Sequence, residues 1–163
     1  MNQSLELVSR EVYSKLGLPV SNYQKESESQ DYQACRFQLN GRNVICRDAK
    51  ITPKKVGQFV TFWKREQDGP IEPFQDSDPF DYFIVNVSQG NEYGQFVFPK
   101  STLVNKGLIS TMIKEGKRGF RVYPSWDETQ SKQAQRTQQW QLNYFYKIGQ
   151  NTDFDAVSKL YSR

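Results

Sequence analysis

The dipeptide Asn40-Gly41 restricts the fold most, because it lies between two segments in which apolar and polar side chains alternate. Asn-Gly suits the two central positions of a type I′ turn, which joins antiparallel strands through a two-residue loop. Counting outward from that turn pairs Phe37 with Val44 and Cys35 with Cys46. Successive side chains of a strand point to opposite faces, so the hairpin has one apolar face. That face consists of Cys35, Phe37, Leu39, Val44 and Cys46.

The two cysteines of the chain are opposite each other in this register. Cys35 and Cys46 fall on a hydrogen-bonded rung of the hairpin, where the Cα atoms are wider apart and the geometry is poor for a disulfide bond. We therefore predict two buried thiols. A redox-sensitive pair is the alternative that this spacing leaves open.

The sequence predicts a cytoplasmic protein without a membrane-spanning segment. Residues 1–6 lack both the basic stretch and the apolar stretch of a secretion signal. The longest wholly apolar run is Tyr82-Phe83-Ile84-Val85, whereas a membrane span needs about twenty apolar residues. A reducing compartment also agrees with unpaired cysteines.

A chain of 163 residues has the length of one domain, and we expect a single domain over residues 1–163. The apolar residues from Leu5 to Leu16 follow helical spacing, and Gly17 suits the C-terminal end of that helix. The other predicted elements are a mobile connection at 21–31, a helical turn beginning at Thr52-Pro53, strands at 59–65, 81–87, 95–98 and 119–123, and helices at 101–107, 128–147 and 152–160. Strands in the middle of the chain with helices at both ends predict an α/β domain, built around a central mixed β-sheet flanked by helices.

The chain contains no histidine and only two cysteines. This composition excludes nucleophiles activated by histidine, and also zinc sites that need imidazole or four thiolate ligands. Hydrolysis would have to use carboxylates with a hard metal ion such as Mg²⁺, or a lysine. Most proteins of such a composition carry no hydrolytic chemistry, and the sequence predicts neither a cofactor nor a metal site.

Charge is distributed unevenly along the chain, whose net charge at pH 7 is 22 − 18 = +4. Residues 35–66 carry 8 basic and 2 acidic side chains, residues 67–93 carry 0 and 6, and residues 94–163 carry 11 and 5. Two basic blocks thus flank an acidic one. Either the blocks neutralise one another in the folded chain, or they form a basic groove beside an acidic rim, which would attract polyanions.

Four passages of the chain form a recognisable ordered set. They are ITPKKVGQFVTFWKR at 51–65, GQFVFPK at 94–100, GKRGFRVYP at 116–124 and KQAQRTQQW at 132–140. Together they resemble the MepB-like family, whose namesake is encoded beside a staphylococcal multidrug efflux pump and its regulator, from about Cys46 to Phe145. The resemblance implies a fold like that of type II restriction endonucleases, with a PD-(D/E)XK core in which an Asp and a (Asp/Glu)-x-Lys lie on adjacent strands.

Carried onto this sequence, the resemblance places the first carboxylate at Asp81, at the start of a strand, and the motif lysine at Lys100, at the end of the next strand. Phe98 occupies the position of the second carboxylate, and Gln95 nearby offers only a neutral amide oxygen. Because carboxylates hold Mg²⁺ in such sites, the resemblance implies a degenerate catalytic position made by Asp81, Gln95 and Lys100, without bound metal or cleavage activity. By the same logic, Phe98→Glu would restore metal binding if the geometry is retained.

Basic side chains interspersed with aromatic ones are typical of grooves that bind the nucleic-acid backbone through phosphate pairing and base stacking. The candidate contacts are Lys54, Lys55, Lys64, Arg65, Lys100, Lys117, Arg118, Arg121, Lys132 and Gln133. The nearby aromatic residues, such as Phe59 and Trp63, alternatively belong to the core. The glutamines of the helix at 128–147 either orient groups of the site or face solvent; they are Gln133, Gln138 and Gln141.

The sequence thus predicts a monomeric protein that binds DNA or RNA through the backbone with low sequence specificity. Two alternatives remain. A working Mg²⁺-dependent nuclease would need another carboxylate near Asp81, such as Glu6 or Glu11 from the first helix. An efflux-linked interaction or small-molecule-sensing module would instead have an enclosed apolar pocket and scattered basic residues.

Overall fold

The computed structural model describes residues 1–162. The strands are β1 Val20–Lys25, β2 Cys35–Leu39, β3 Arg42–Asp48, β4 Lys50–Ile51, β5 Gln58–Thr61, β6 Trp63–Arg65, β7 Ile71–Pro73, β8 Tyr82–Gln89, β9 Glu92–Pro99, β10 Gly119–Val122 and β11 Phe145–Lys147. The α-helices are α1 Gln3–Val8, α2 Ser14–Leu16, α3 Lys100–Asn105, α4 Lys132–Gln141 and α5 Phe154–Tyr161. A π-helical segment, Ser9–Tyr13, joins α1 to α2 in one continuous N-terminal helix, and 3-10 turns occur at Gln30–Tyr32 and Leu142–Tyr144. Within residues 1–162, no helix combines the length and the apolarity that crossing a bilayer requires.

The centre of the fold is a six-stranded sheet with the strand order β1-β2-β3-β8-β9-β11. Strands β3 and β8 are parallel, whereas the other neighbours are antiparallel. A parallel pair needs a long crossover, and the crossover between β3 and β8 contains β4 to β7. Together with β10, which follows later in the chain, they form two small sheets, of order β10-β5-β4 and β6-β7. The predicted fold class, a mixed central sheet flanked by helices, is therefore confirmed.

The β2–β3 hairpin has the predicted register, with Cys35 opposite Cys46 and Phe37 opposite Val44. Its turn residues have the positive φ angles of a type I′ turn, 51° at Asn40 and 82° at Gly41. The two cysteines are free and buried on the predicted apolar face. Contact with Cys35 and burial raise the pKa of the Cys46 thiol well above its usual value.

Each face of the six-stranded sheet carries its own core. Side chains of β8 alternate, so that Tyr82 and Ile84 belong to one core and Phe83 and Val85 to the other. The N-terminal helix and α5 cover the first face. Strands β5 and β10 and helix α3 cover the second face, and the groove described below lies on this second side.

Two predicted connections differ in the structure. The polar stretch at 21–31 begins as strand β1, which ends at Lys25 and forms the edge of the sheet beside β2. An edge strand with exposed side chains needs no apolar alternation, which is why its sequence resembles a loop. Thr52-Pro53 begins no helix, because the chain turns there between β4 and β5.

Two predicted elements are interrupted. The strand predicted at 59–65 is divided at Phe62, whose ring is buried against Phe83 with 4.4 Å between ring centroids, so β5 and β6 enter different small sheets. The helix predicted at 128–147 begins at Lys132, after the N-cap Ser131. It ends at Gln141, and Phe145–Lys147 instead pairs with β9 as the other edge strand of the central sheet.

Candidate nucleic-acid interface

A groove separates helix α4 from strand β10, and two glutamines of the helix set its width. Gln141 is fully buried; its Nε2 donates to the carbonyl oxygen of Arg121 (2.9 Å), and its Oε1 accepts from the backbone N–H of Tyr123 (2.9 Å). The Nε2 of Gln138 donates to the carbonyl oxygen of Pro124 (3.0 Å). Helix α4 thus satisfies backbone groups at the end of β10 as a neighbouring strand would.

Basic side chains and aromatic rings line this groove, which has a volume of about 440 Å³. The cations are Lys106, Lys117 and Arg121, and the rings of Phe120 and Trp140 form part of the wall. The other lining residues are Leu108, Gly119, Tyr123, Ser131, Gln133, Ala134, Thr137 and Gln141. None of the described residues that line the groove is acidic.

A second cavity, of about 560 Å³, extends this groove along the exposed side of α4. The two cavities share Lys106, Gln133, Thr137 and Trp140, and the second adds the guanidinium of Arg136. Together they form one channel with four cations along its length. We call it the α4 channel.

Two of these cations already have defined positions. The Nζ of Lys106 lies 5.3 Å from the ring centroid of Trp140, a cation–π arrangement. The guanidinium of Arg121 donates to the carbonyl oxygen of Val56 (3.3 Å) and to the hydroxyl of Thr52. An arginine has five N–H donors, so these two bonds leave donors of Arg121 for a ligand, although Thr52 and Val56 are not among the residues that line the channel.

The structure brings some of the predicted phosphate contacts together. Lys117, Arg121 and Gln133 line the α4 channel, and Lys132 is exposed at the first turn of the same helix. Arg118 does not join them, because its Nη2 donates to the carboxylate of Glu115 (3.0 Å).

Other predicted contacts are held elsewhere by acidic partners. Lys64 lies 2.8 Å from Asp78, 3.5 Å from Glu72 and 3.6 Å from Glu66. Burial opposes its charge, but the hydrogen bond and the charge of Asp78 raise the pKa of Lys64 overall. For Lys64, the acidic block thus neutralises a cation of the first basic block, which is one of the two outcomes that the charge pattern left open.

Three more of the predicted cations lie outside the channel. Arg65 donates to Glu28 (2.8 Å). Lys54 and Lys55 are exposed in the loop before β5, and Lys55 lines a different cavity, of about 490 Å³, together with Asp127. Sequence proximity to β5 therefore does not bring these side chains to the α4 channel.

Asp81 and Lys100 lie side by side at one end of the β8–β9 hairpin, where the backbone N–H of Lys100 donates to the carbonyl oxygen of Asp81 (3.0 Å). Their side chains are both engaged. The carboxylate of Asp81 accepts from the backbone N–H of Asn43 (2.8 Å). The ammonium group of Lys100 donates to the carbonyl oxygen of Asp78 and lies 5.1 Å from the ring centroid of Phe80. Both side chains thus form hydrogen bonds to backbone groups that lie close to them.

Gln95 is separated from that pair. It is opposite Asn86 in the β8–β9 register, five residues along β8 from Asp81, or about 17 Å at the rise of a strand. Its Nε2 donates to Asn86 Oδ1 (2.8 Å), and its Oε1 accepts from the hydroxyls of Tyr146 and Tyr161. Gln95 is buried on the opposite face of the sheet from Phe98.

The network around Gln95 ends at a carboxylate that sequence analysis did not single out. Asp48 Oδ1 accepts from Asn86 Nδ2 (3.0 Å), and Asp48 Oδ2 accepts from the hydroxyl of Ser4 (2.6 Å). Burial raises the pKa of Asp48 despite these two hydrogen bonds. Because this network lies between the N-terminal helix and the sheet, we assign it a structural role.

The predicted effect of Phe98→Glu stays a prediction that the structure disfavours, because Phe98 is 0 % exposed and stacks on Phe96 with 5.4 Å between ring centroids. A glutamate there would enter an aromatic core. The carboxylate of Glu11 is bound by Arg10 and Lys15, so it does not supplement Asp81. In residues 1–162, no group of three or more acidic or cysteine side chains is arranged to hold a metal ion.

Sequence analysis missed three residues of the α4 channel, Lys106, Arg136 and Trp140. Lys106 is isolated in sequence from the other cations, whereas Arg136 follows the predicted contact Lys132 by one helical turn, which was an available signal. The position of Trp140 in the channel depends on where α4 packs. Gln141 was named among the residues that either orient groups of the site or face solvent, and it binds the backbone at the end of β10.

These features define an α/β protein with a mixed six-stranded sheet and a basic channel beside its smaller sheet. The sequence profile of the MepB-like family matches residues 26–147, and the chain belongs to that family. The crystal structure of MepB is similar to 94% of this chain and 100% of that chain, with 34% sequence identity and a TM-score of 0.79. The match begins before Cys46, so it also includes the β2–β3 hairpin.

A bacterial homing endonuclease, I-Ssp6803I, is more distantly similar, with a TM-score of 0.47 and 14% identity over 85% of this chain and 85% of that chain. A similarity of this size carries no inference about activity. Among curated protein sequences, none matches the chain significantly.

Proposed function

We propose that this protein binds DNA or RNA through the sugar–phosphate backbone, with low sequence specificity, in the α4 channel. One observation carries the proposal: the channel gathers Lys106, Lys117, Arg121 and Arg136 along one helix, and no acidic side chain among its described lining residues opposes them. Elsewhere cations such as Lys64 are paired with carboxylates. This contrast supports the channel as the place for an anionic ligand.

The number of cations in the channel supports a polymeric anion as the ligand. A single small anion needs one or two donors, whereas four cations in a channel beside a helix of 10 residues, about 15 Å long, suit several phosphates of a polyanion. Lysine ammonium groups attract phosphates as point charges. Such contacts do not depend on base identity, so they support low specificity.

The proposal includes no catalysis. Asp81 and Lys100 are engaged in backbone hydrogen bonds and Gln95 lies on the other face of the sheet, so we treat these three residues as an inactive position. A small-molecule-sensing role would call for an enclosed apolar pocket, whereas the groove is open and carries Lys106, Lys117 and Arg121 among its lining residues. We also propose that the protein acts in the cytoplasm as a monomer.

The test is a salt titration of binding with a double variant, Lys106→Gln plus Lys117→Gln, measured by fluorescence anisotropy on labelled oligonucleotides. The matched control is Lys25→Gln plus Lys159→Gln, which removes the same charge from exposed residues outside the channel. We expect micromolar or weaker affinity for the wild type at physiological salt, decreasing as salt rises. Two lost contacts of about 0.5–1 kcal/mol each predict a 5- to 30-fold loss in the channel variant.

The slope of log affinity against log salt should also become shallower, by about 1.4 for a single strand or about 1.8 for a duplex, because two phosphate contacts are removed. The control should keep the wild-type slope. Equal loss in both double variants would show that net charge, not the channel, governs binding, and the proposal would be rejected.

A further inference from the structure

We infer that the α4 channel takes an unpaired strand in preference to a duplex, with a base stacked on Trp140. This inference rests on the proposed function, since it specifies which form of nucleic acid the same channel binds. It is carried by the combination of a concave shape, aromatic wall residues and exposed lysines at one place.

The shape of the channel disfavours a duplex. Proteins that read duplex DNA insert a convex helix or ribbon into its major groove, which is about 12 Å wide. The binding surface here is concave, with α4 on one side and β10 on the other, joined by the Gln141 hydrogen bonds. Its volume of about 440 Å³ is in the range of pockets that enclose small ligands. A duplex would contact only the rim, whereas an unpaired strand enters.

Trp140 provides a ring for stacking, since it is half-buried and lines both parts of the channel. Its inner contact is Phe98, at 5.6 Å between ring centroids. Lys106 lies over the ring in the unbound protein. Because Lys106 is exposed at the end of α3, its side chain is free to move from the ring to a phosphate.

The exchange of Lys106 for a base over the Trp140 ring is favourable in free energy. A cation over an exposed ring contributes about 2- to 5-fold to an equilibrium. A base stacked on an aromatic side chain contributes about 5- to 150-fold. Replacing the lysine by a base therefore gains affinity, and the displaced ammonium group gains a phosphate. Every base has a π-face, so the arrangement remains indifferent to sequence.

The experiment compares a fluorescein-labelled 12-nucleotide single strand of mixed sequence, as DNA and as RNA, with the duplex of the same sequence. We expect at least one of the two single strands to bind at least 10-fold more tightly than the duplex. Trp140→Leu should reduce single-strand affinity about 5- to 50-fold and leave duplex affinity unchanged. The matched control is Trp63→Leu, because Trp63 is also half-buried with a cation, Arg65, 5.6 Å from its ring centroid.

A second variant keeps the inference testable if Trp140→Leu fails to fold. Ala134→Leu adds bulk to the channel wall without removing a core residue, and it should lower single-strand affinity similarly. Duplex binding as tight as or tighter than both single strands would overturn the inference and leave the proposed function standing, with the outward face of α4 and Arg136 as the contact. Absence of binding to all oligonucleotides would reject the proposed function itself. Equal effects of Trp140→Leu and Trp63→Leu would reject the stacking role.

Discussion

Gln141→Leu should destabilise the protein strongly, although it replaces a polar residue by an apolar one of similar size in a buried position. The leucine removes two hydrogen bonds and leaves the N–H of Tyr123 and the C=O of Arg121 without their partner. An unsatisfied buried polar group costs about 1–3 kcal/mol, and part of the loss is offset by the greater burial of apolar surface. We expect a decrease of about 2–4 kcal/mol in the free energy of unfolding.

Gln141→Glu tests the geometry of the same pair of bonds. An ionised glutamate still accepts from Tyr123 but has no hydrogen for the carbonyl oxygen of Arg121, and its charge is buried. A protonated glutamate has an O–H group that donates to Arg121. Burial favours this protonated form, so the pKa in the folded state should exceed that of the unfolded chain. The variant should therefore lose stability as pH rises through its folded-state pKa.

The assay is equilibrium unfolding in urea, followed by tryptophan fluorescence at pH 5 and pH 8. The control is Gln139→Leu, an exposed residue of the same helix, which should change stability by less than about 0.5 kcal/mol. A loss below about 1 kcal/mol for Gln141→Leu would refute the reasoning. It would mean that water or a shifted helix satisfies the two backbone groups, and that Gln141 does not fix the width of the channel.

Two other predictions concern the two cores. Burial raises the pKa of Asp48, so the folded chain binds an extra proton between the unfolded value, about 3.9, and the folded one. Stability should fall as pH rises through that interval, and Asp48→Asn should flatten this part of the profile in urea unfolding, unlike the exposed control Asp31→Asn. Phe98→Glu should lose more than about 3 kcal/mol of stability, because a ring is lost and a carboxylate is buried. Calorimetry should detect no Mg²⁺ binding by it; a folded, metal-binding Phe98→Glu protein would contradict this assignment.

Local chemistry explains the parts of the fold that were predictable. Asn40-Gly41 specifies a turn type, the turn specifies the register, and the register places Cys35 and Cys46 on one face. Gly17 likewise ends the N-terminal helix with a φ of 68°. In both cases the relevant interactions connect neighbours in sequence, so the chain alone contained the information.

Tertiary packing explains the parts that were not predictable. Phe145 and Tyr146 look compatible with the end of a long helix, but the space beside β9 makes them an edge strand. Lys64 looked available for phosphate until the crossover brought Asp78 to it. The cations of the α4 channel come from three separate parts of the chain, and their proximity depends on how α4 packs against β10.

By contrast, the error in the predicted catalytic position was avoidable, because the sequence itself indicates that Gln95 is separated from Asp81. Gly90 and Asn91 form a two-residue turn, and counting outward from it pairs Asp81 with Lys100 and Asn86 with Gln95. Asp81 and Asn86 are five residues apart on one strand, so their side chains point to opposite faces. Gln95 therefore cannot share a site with Asp81 while both strands remain regular. The strands had been predicted at 81–87 and 95–98, and the longer connection that this leaves between them concealed the register. The alternation of side chains between the two faces of a strand made the β2–β3 hairpin predictable. The same alternation excludes a site shared by Asp81 and Gln95 on the β8–β9 hairpin. The α4 channel is then the place where basic residues converge.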